Sequence, residues 1–438
     1  WGAGEIGLAL GLEWRKETTE GKGRDADTGS RVLFLNTGPD FKLAKYDTKE
    51  AFAEMKIPLL KDVPFAKSLE FSGAIRRSDY STVGKVNTYS AQFFWEVNDQ
   101  VKFRGTRAFA TRIPNLNENF APFTQTFALI NDPCDSRNIQ NTTNTQIREN
   151  RIKNCAALGI PANQTMTYSA SPPGVLGGNT LLKPETSKSK TLSVILNPAF
   201  LPRTTIVFDW YNIQIDDAIA AIAAQTMVNQ CVDTAALNPA ACGNITRNPA
   251  DEYKVSFFRQ GSFNYARFET QGLDFTFQHR APLNNVFGRD LGNLNVTLRG
   301  TYEQFNRAYT NIDQPGFHTD FTSQLEYPEL RFATNVAWNY KPTLSFFWNM
   351  DFIGSQELID IDVLRSNPDN REDKFRKTGN SIQHDFSVRW EARKNLTIRG
   401  GVVNAFNETP PRWLGSTTTA DTFDMFGRRF YVGFNYKH

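Results

Sequence analysis

Trp390–Gly400 reads WEARKNLTIRG, and Trp95–Gly105 reads WEVNDQVKFRG. Both set a Trp-Glu pair, a polar knot, two apolar residues spaced by one, and then Arg-Gly. Trp338–Trp348, WNYKPTLSFFW, is a looser copy. The layout suits a hairpin in which a row of alternating residues ends on an indole, turns tightly, and starts again.

Period-two alternation extends well beyond these hairpins. In EIGLALGLEWR, Ile6, Leu8, Leu10, Leu12 and Trp14 share one face, opposite Glu5, Gly7, Ala9, Gly11 and Glu13. Tyr89, Ala91, Phe93, Trp95 and Val97 oppose Ser90, Gln92, Phe94 and Glu96. Leu330, Phe332, Val336, Trp338 and Tyr340 oppose Arg331, Ala333, Asn335 and Asn339. Phe430, Val432, Phe434 and Tyr436 oppose Arg429, Tyr431, Gly433 and Asn435. The same rhythm near 51–60, 67–77, 100–109, 190–197, 204–215, 264–278, 293–305, 343–353, 382–392 and 395–404 predicts roughly 14–16 strands of about ten residues. That is the length of a tilted strand crossing a bilayer, against five or six in soluble sheets.

Connections fall into two kinds. Asn98–Gln100, Asn197–Arg203, Asn339–Thr343 and Ala392–Asn395 are short; 110–183, 216–252 and 354–380 are long and polar. Short turns alternating with long loops fit an all-β, antiparallel transmembrane barrel with periplasmic turns and extracellular loops. Trp95, Trp338 and Trp390 then form an aromatic girdle at the inner membrane boundary. Three separate hairpins of a soluble sheet would carry the same repeat.

Composition is compatible with this reading. The chain has 438 residues, of which 22% are charged and 40% hydrophobic, so it is not disordered in composition. A net charge of +3 gives no nucleic-acid signature. No apolar run approaches the roughly 20 residues of a membrane helix. A mean hydropathy of −0.46 is ordinary for a barrel whose strands alternate oil and water. The first residues, WGAGEIGLAL, lack a signal segment and are read as strand from the outset, which suggests the remainder of something longer.

Cys134 lies near Cys155 and Cys231 near Cys242, each pair in a polar stretch. With no CxxC spacing, two short-range disulfides are expected, with free thiols as the alternative. Asp216–Val232, DDAIAAIAAQTMVNQCV, is Ala-rich with acids at its start and predicts a short helix in an outer loop.

Chemistry motifs are scarce. Gly2, Gly4 and Gly7 make a formal GxGxxG with neither the preceding strand nor the following helix that nucleotide binding requires. No GxSxG, HExxH, P-loop or calcium-loop pattern is present. His279, His318, His384 and His438 have no metal-ligand spacing, so neither enzyme activity, cofactor nor metal is expected. Parity places Arg76, Lys102, Arg104, Asp209, Asp274, Arg389 and Arg399 toward the lumen, because a charge facing lipid costs roughly 2–4 kcal/mol at the midplane. A hydrated polar wall and a ligand- or plug-contacting wall both suit these residues.

Four segments resemble the barrel of TonB-dependent outer-membrane receptors. They are FATRIPNLNENFAP (Phe109–Pro122), LLKPETSKSKTLSVIL (Leu181–Leu196), FDWYNIQIDDAI (Phe208–Ile219) and NAFNETPP (Asn404–Pro411) followed by FGRRFYVGFNYKH. The resemblance implies a 22-stranded barrel in the outer membrane of a Gram-negative bacterium, closed by an N-terminal plug. It also implies TonB-powered uptake, with ExbB and ExbD, of a scarce nutrient such as an oligosaccharide or iron–siderophore. Residues 1–438 would then be a partial barrel domain, with plug and first strands absent. The family usually ends in Phe; here Tyr436 stands two before the final His438, which fits either a further residue beyond it or a deviating member. A passive porin or a surface-displayed adhesin is the alternative reading.

Overall fold

The computed structural model describes residues 2–23, 38–284, 288–310, 316, 318–357, 376–411 and 422–437. The long strands are β1 (Gly7–Gly21), β2 (Phe41–Val63), β3 (Ala66–Tyr80), β4 (Gly84–Glu96), β5 (Val101–Arg112), β8 (Glu185–Leu196), β9 (Thr204–Ala221), β11 (Lys254–Pro282), β12 (Asn293–Tyr309), β14 (Leu330–Lys341), β15 (Leu344–Ile353), β16 (Ser381–Arg393), β17 (Leu396–Val403) and β18 (Arg429–Tyr436). Each pairs antiparallel with the next in that order. The expected number of strands is met. Among the described residues β1 pairs only with β2, and β18 only with β17.

Four short strands, β6 (Thr124–Phe127), β7 (Pro173–Gly177), β10 (Ile245–Asn248) and β13 (Thr319–Asp320), belong to the loops. Among the described residues so do the helices α1 (Leu116–Phe120), α2 (Ser136–Asn141), α3 (Thr145–Ala157), α4 (Ala224–Val232) and α5 (Pro239–Cys242). The β5–β8 and β9–β11 connections hold them all except β13, and both leave the same end of the sheet. The opposite end has short turns, such as 97–100, 342–343 and 394–395. One connection at the long-loop end, 81–83 between β3 and β4, is also short.

Two expectations fail locally. The chain is not strand from its first residues: β1 opens at Gly7, paired with Lys56, because Gly4 at φ 137° breaks the extended run. The helix expected from Asp216 starts only at Ala224. Up to Ala221 the chain continues β9, with Ile215 opposite Phe268 and Ala221 opposite Ser262. Ladder bonds to β11 override the helix preference of the alanines, as propensity is a weak term beside tertiary pairing.

The sheet has one greasy exposed face. Leu8, Leu10, Leu12 and Trp14 are 65–86% exposed, and Ile75, Tyr89, Leu192, Phe208, Phe386, Phe430, Val432 and Phe434 are exposed on other strands. Aromatic rings on the sheet lie over glycines directly opposite: Phe93 over Gly105 and Phe275 over Gly300, where an added Cβ would sit 2.2 and 2.4 Å from the ring. Among the described residues two compact clusters of buried apolar side chains lie elsewhere, in the helical loops and the adjoining ends of β9 and β11. A soluble sheet would bury its greasy face; an exposed apolar band of this size calls for a membrane or another apolar partner.

Candidate functional site

The opposite face of the sheet is polar, and all seven charged residues named from parity lie on it. Arg104 pairs with Asp209 at 2.9 Å and also donates to Ser193 Oγ, on the strand between them, from Nε and Nη2 at 3.2 and 3.1 Å. Asp274, directly opposite Asp209, accepts from Thr301 at 2.7 Å. Lys102 pairs with Glu96 at 2.8 Å. Arg76 bonds Glu50 and lies 3.3 Å from Glu13, with its guanidinium over the Phe52 ring. Tyr80 donates to the same Glu50 at 3.0 Å. Arg389 pairs with Glu391 and sits opposite Arg399. Parity in the sequence already puts Glu13 and Glu96 on this face; the same rule extends to Glu50 and Ser193, and the pairing of all four with Arg76, Lys102 and Arg104 appears only in the fold.

The three hairpin tryptophans all stand on the apolar face near the short-turn end. Trp95 donates to the carbonyl of Phe65 and Trp338 to that of Leu291, both at 2.8 Å and both in neighbouring connections. Trp390 lies between Leu344 and Ile398 and is half exposed.

At the long-loop end two connections fold into one body. Asn115 caps α1 in a box with Glu118, which fixes the exit from β5. Asn144 caps α3, bringing Cys155 to the disulfide with Cys134 at a Cα separation of 5.6 Å. The second disulfide, Cys231–Cys242, joins α4 to α5 at 4.8 Å. Both expected pairings are present.

The two connections then clasp each other. Arg151 forks onto Asp233 at 2.6 and 3.0 Å. Asn154, fully buried, donates to the carbonyls of Val232 and Thr234. Arg247 forks onto Asp132 at 2.7 and 3.0 Å, and Tyr168 donates to Asp132 at 2.9 Å. Burial, with the Asp132 charge beside it, pushes the Tyr168 phenol up. Asp135 caps α2 and is held down at about 2, first by Arg137 and then by the amides of Met166 and Arg137. The sequence marks none of the clasping pairs, Arg151 with Asp233, Asn154 with Val232 and Thr234, and Arg247 with Asp132, because each joins residues far apart in the chain.

A cavity of about 340 Å³ lies where this body meets the ends of β9 and β11. Ile222, Met227, Gln230, Asn244, Phe263 and Tyr265 are among its walls. Among the described residues no group of His, Cys, Asp and Glu could hold a metal ion. No helix there is long and apolar enough to cross a membrane, which leaves strands unaddressed.

A family model described as TonB dependent receptor-like, beta-barrel, matches residues 1–405. Solved structures share the architecture at low identity. The siderophore receptor PirA from Acinetobacter baumannii matches 98% of this chain over 52% of its own, at TM-score 0.59 and 17% identity. A variant ferric enterobactin receptor, PfeA from Pseudomonas aeruginosa, solved with enterobactin, matches 99% over 52%, at TM-score 0.59 and 16% identity. PirA from Pseudomonas aeruginosa matches 98% over 53%, at TM-score 0.52 and 16% identity. The chain thus spans about half the length of these structures. No curated protein matches it in sequence.

Proposed function

The chain belongs to the TonB-dependent receptor β-barrel family of the Gram-negative outer membrane, and from that premise we propose that it takes part in active uptake of a scarce nutrient. The family is one of receptors and transporters. The nutrient classes are an oligosaccharide or an iron–siderophore; the second is what the similar PirA and PfeA receptors are named for.

In this reading the greasy face meets lipid and the polar face lines the lumen, with its paired charges contacting water, a plug or the passing ligand. Trp95, Trp338 and Trp390 form the periplasmic girdle. The 113–184 and 222–253 connections face outward and capture ligand. Residues 1–438 supply part of the barrel, and energy arrives from TonB, ExbB and ExbD through a plug. The disulfides would hold the capture surface in shape, which lowers the ordering cost of binding.

The observation that carries the proposal is the pairing of an exposed apolar face with a charged opposite face, capped at one end by a folded, disulfide-tied loop body. The test is growth of the source bacterium, with and without this gene, on limiting ferric chelates and on oligosaccharides as sole carbon source. Each condition is repeated in a strain lacking TonB. Gene-dependent growth that disappears without TonB is expected. Gene-dependent growth indifferent to TonB would make the protein a passive pore, and growth indifferent to the gene would favour an adhesin.

A further inference from the structure

We propose that the cavity between the clasped loops and the ends of β9 and β11 binds a neutral, hydroxyl-rich ligand of the saccharide class. This rests on the uptake reading and names the substrate class it leaves open.

The first observation is Gln230. It lies on α4, is only 6% exposed and lines the cavity. Among the described residues its carboxamide makes no hydrogen bond, although a buried amide is normally paired. It supplies both a donor and an acceptor to the cavity.

The neighbouring polar groups have the same character. The Tyr265 hydroxyl has no hydrogen-bond partner among the described residues and also lines the cavity. Asn238 spends its carbonyl oxygen capping α5, which leaves its amide nitrogen. Asn244 spends its amide nitrogen on the carbonyl of Ala240, which leaves its oxygen. The free groups are therefore a mixture of donors and acceptors. Hydroxyls, which both donate and accept, match such a mixture; a carboxylate or phosphate matches donors alone.

Charge and shape agree. The cavity wall carries one cation, Lys183, and one anion, Asp217. A multiply charged chelate would find no net charge there. Ile222, Met227 and Phe263 give an apolar floor suited to the C–H face of a sugar ring. About 340 Å³ is at the small end of ligand sites and fits a short saccharide unit.

The position links binding to the barrel. Gln260 of β11 donates to the carbonyl of Ile222 at 3.1 Å, so the floor is tied to the strand ends. Both disulfides stand in the cluster of buried side chains that contains Ile222 and Met227.

The test uses the purified protein in detergent on an array of neutral oligosaccharides, followed by calorimetry with each glycan retained. Gln230→Met keeps the size of the side chain and removes both polar groups. Tyr265→Phe removes one hydroxyl at a more exposed place. Each is expected to weaken glycan binding about tenfold, as loss of a buried hydrogen bond does. Retention of no neutral glycan would overturn the proposal, as would binding unchanged in both variants. TonB-dependent growth on a ferric chelate that is insensitive to Gln230→Met would sink this site and leave the uptake reading standing. Glycan binding that needs Gln230, in a strain whose growth ignores TonB, would do the reverse.

Discussion

Arg112 and Glu185, 73 positions apart, join through two hydrogen bonds of 2.6 and 2.7 Å. Arg112 also holds Glu118 at 3.0 and 3.1 Å, and Glu185 accepts from the amide of Ile219. One guanidinium thus fastens the exit of β5, the first helix of the loop body and the entry to β8. Arg112→Lys keeps the charge and loses the fork, because an ammonium cannot serve two carboxylates in that geometry. We expect a loss of about 1–2 kcal/mol, confined to the loop body. Hydrogen exchange at the amides of 113–120 checks it.

Arg389 and Arg399 face each other across β16 and β17, and among the described residues Arg389 pairs with an acid, Glu391, whereas Arg399 makes no ion pair. Like charges directly opposite destabilise a strand pair. Arg399→Glu should therefore stabilise the sheet by roughly 0.2–1 kcal/mol. The midpoint of heat-dependent migration on detergent gels should rise; a fall would contradict the assigned register.

Asp132 is almost fully buried, and its charge is met by Arg247. Arg247→Met leaves that carboxylate without its cation. Breaking a buried pair from one side costs about 3–5 kcal/mol. The expected outcome is fast hydrogen exchange throughout 128–168, with β14 to β17 unchanged.

Reduction of the two disulfides should act locally in the same way. Each closes a short loop and contributes about 3 kcal/mol by the chain-entropy account. A variant with Cys134→Ser and Cys155→Ser should be cut by protease between α2 and α3 while the sheet keeps its gel mobility. An uncut loop with unchanged ligand affinity would remove the idea that the bridge shapes the capture surface.

Asp135 gives a pH prediction. Its ordinary value is 3.8 and in the fold it stands at about 2, with the Arg137 bond the leading cause. A depressed carboxyl stabilises the fold above its ordinary value, and that stability is lost as pH falls through 3.8 toward about 2. Pepsin cleavage within 136–166 should rise over that interval, and Asp135→Asn should flatten the rise.

Much of the sheet was legible because alternation is a local property. Leu8 to Trp14 declare one face by themselves, and the same rule put Arg104 and Asp209 on the other. What alternation cannot state is which strands become neighbours. The Arg104–Asp209 pair exists because β8 returns beside β5 after a long connection, and nothing local in the sequence says so. The misplaced helix start has the same origin. Ile215 to Ala221 suits a helix or a strand, and β11, far along the chain, decides between them. The loop body was visible as two long polar stretches, two cysteine pairs and one short helix; its clasp, Arg151 on Asp233 and Asn154 on two carbonyls, joins segments that carry no local mark of it.

That clasp limits how the surface can be re-engineered or diversified. Transplanting either connection by itself into a related receptor would strand Asp233 or Arg151 without its counterpart. The two loops therefore form one heritable cassette, and chimeras should succeed only when both are exchanged together.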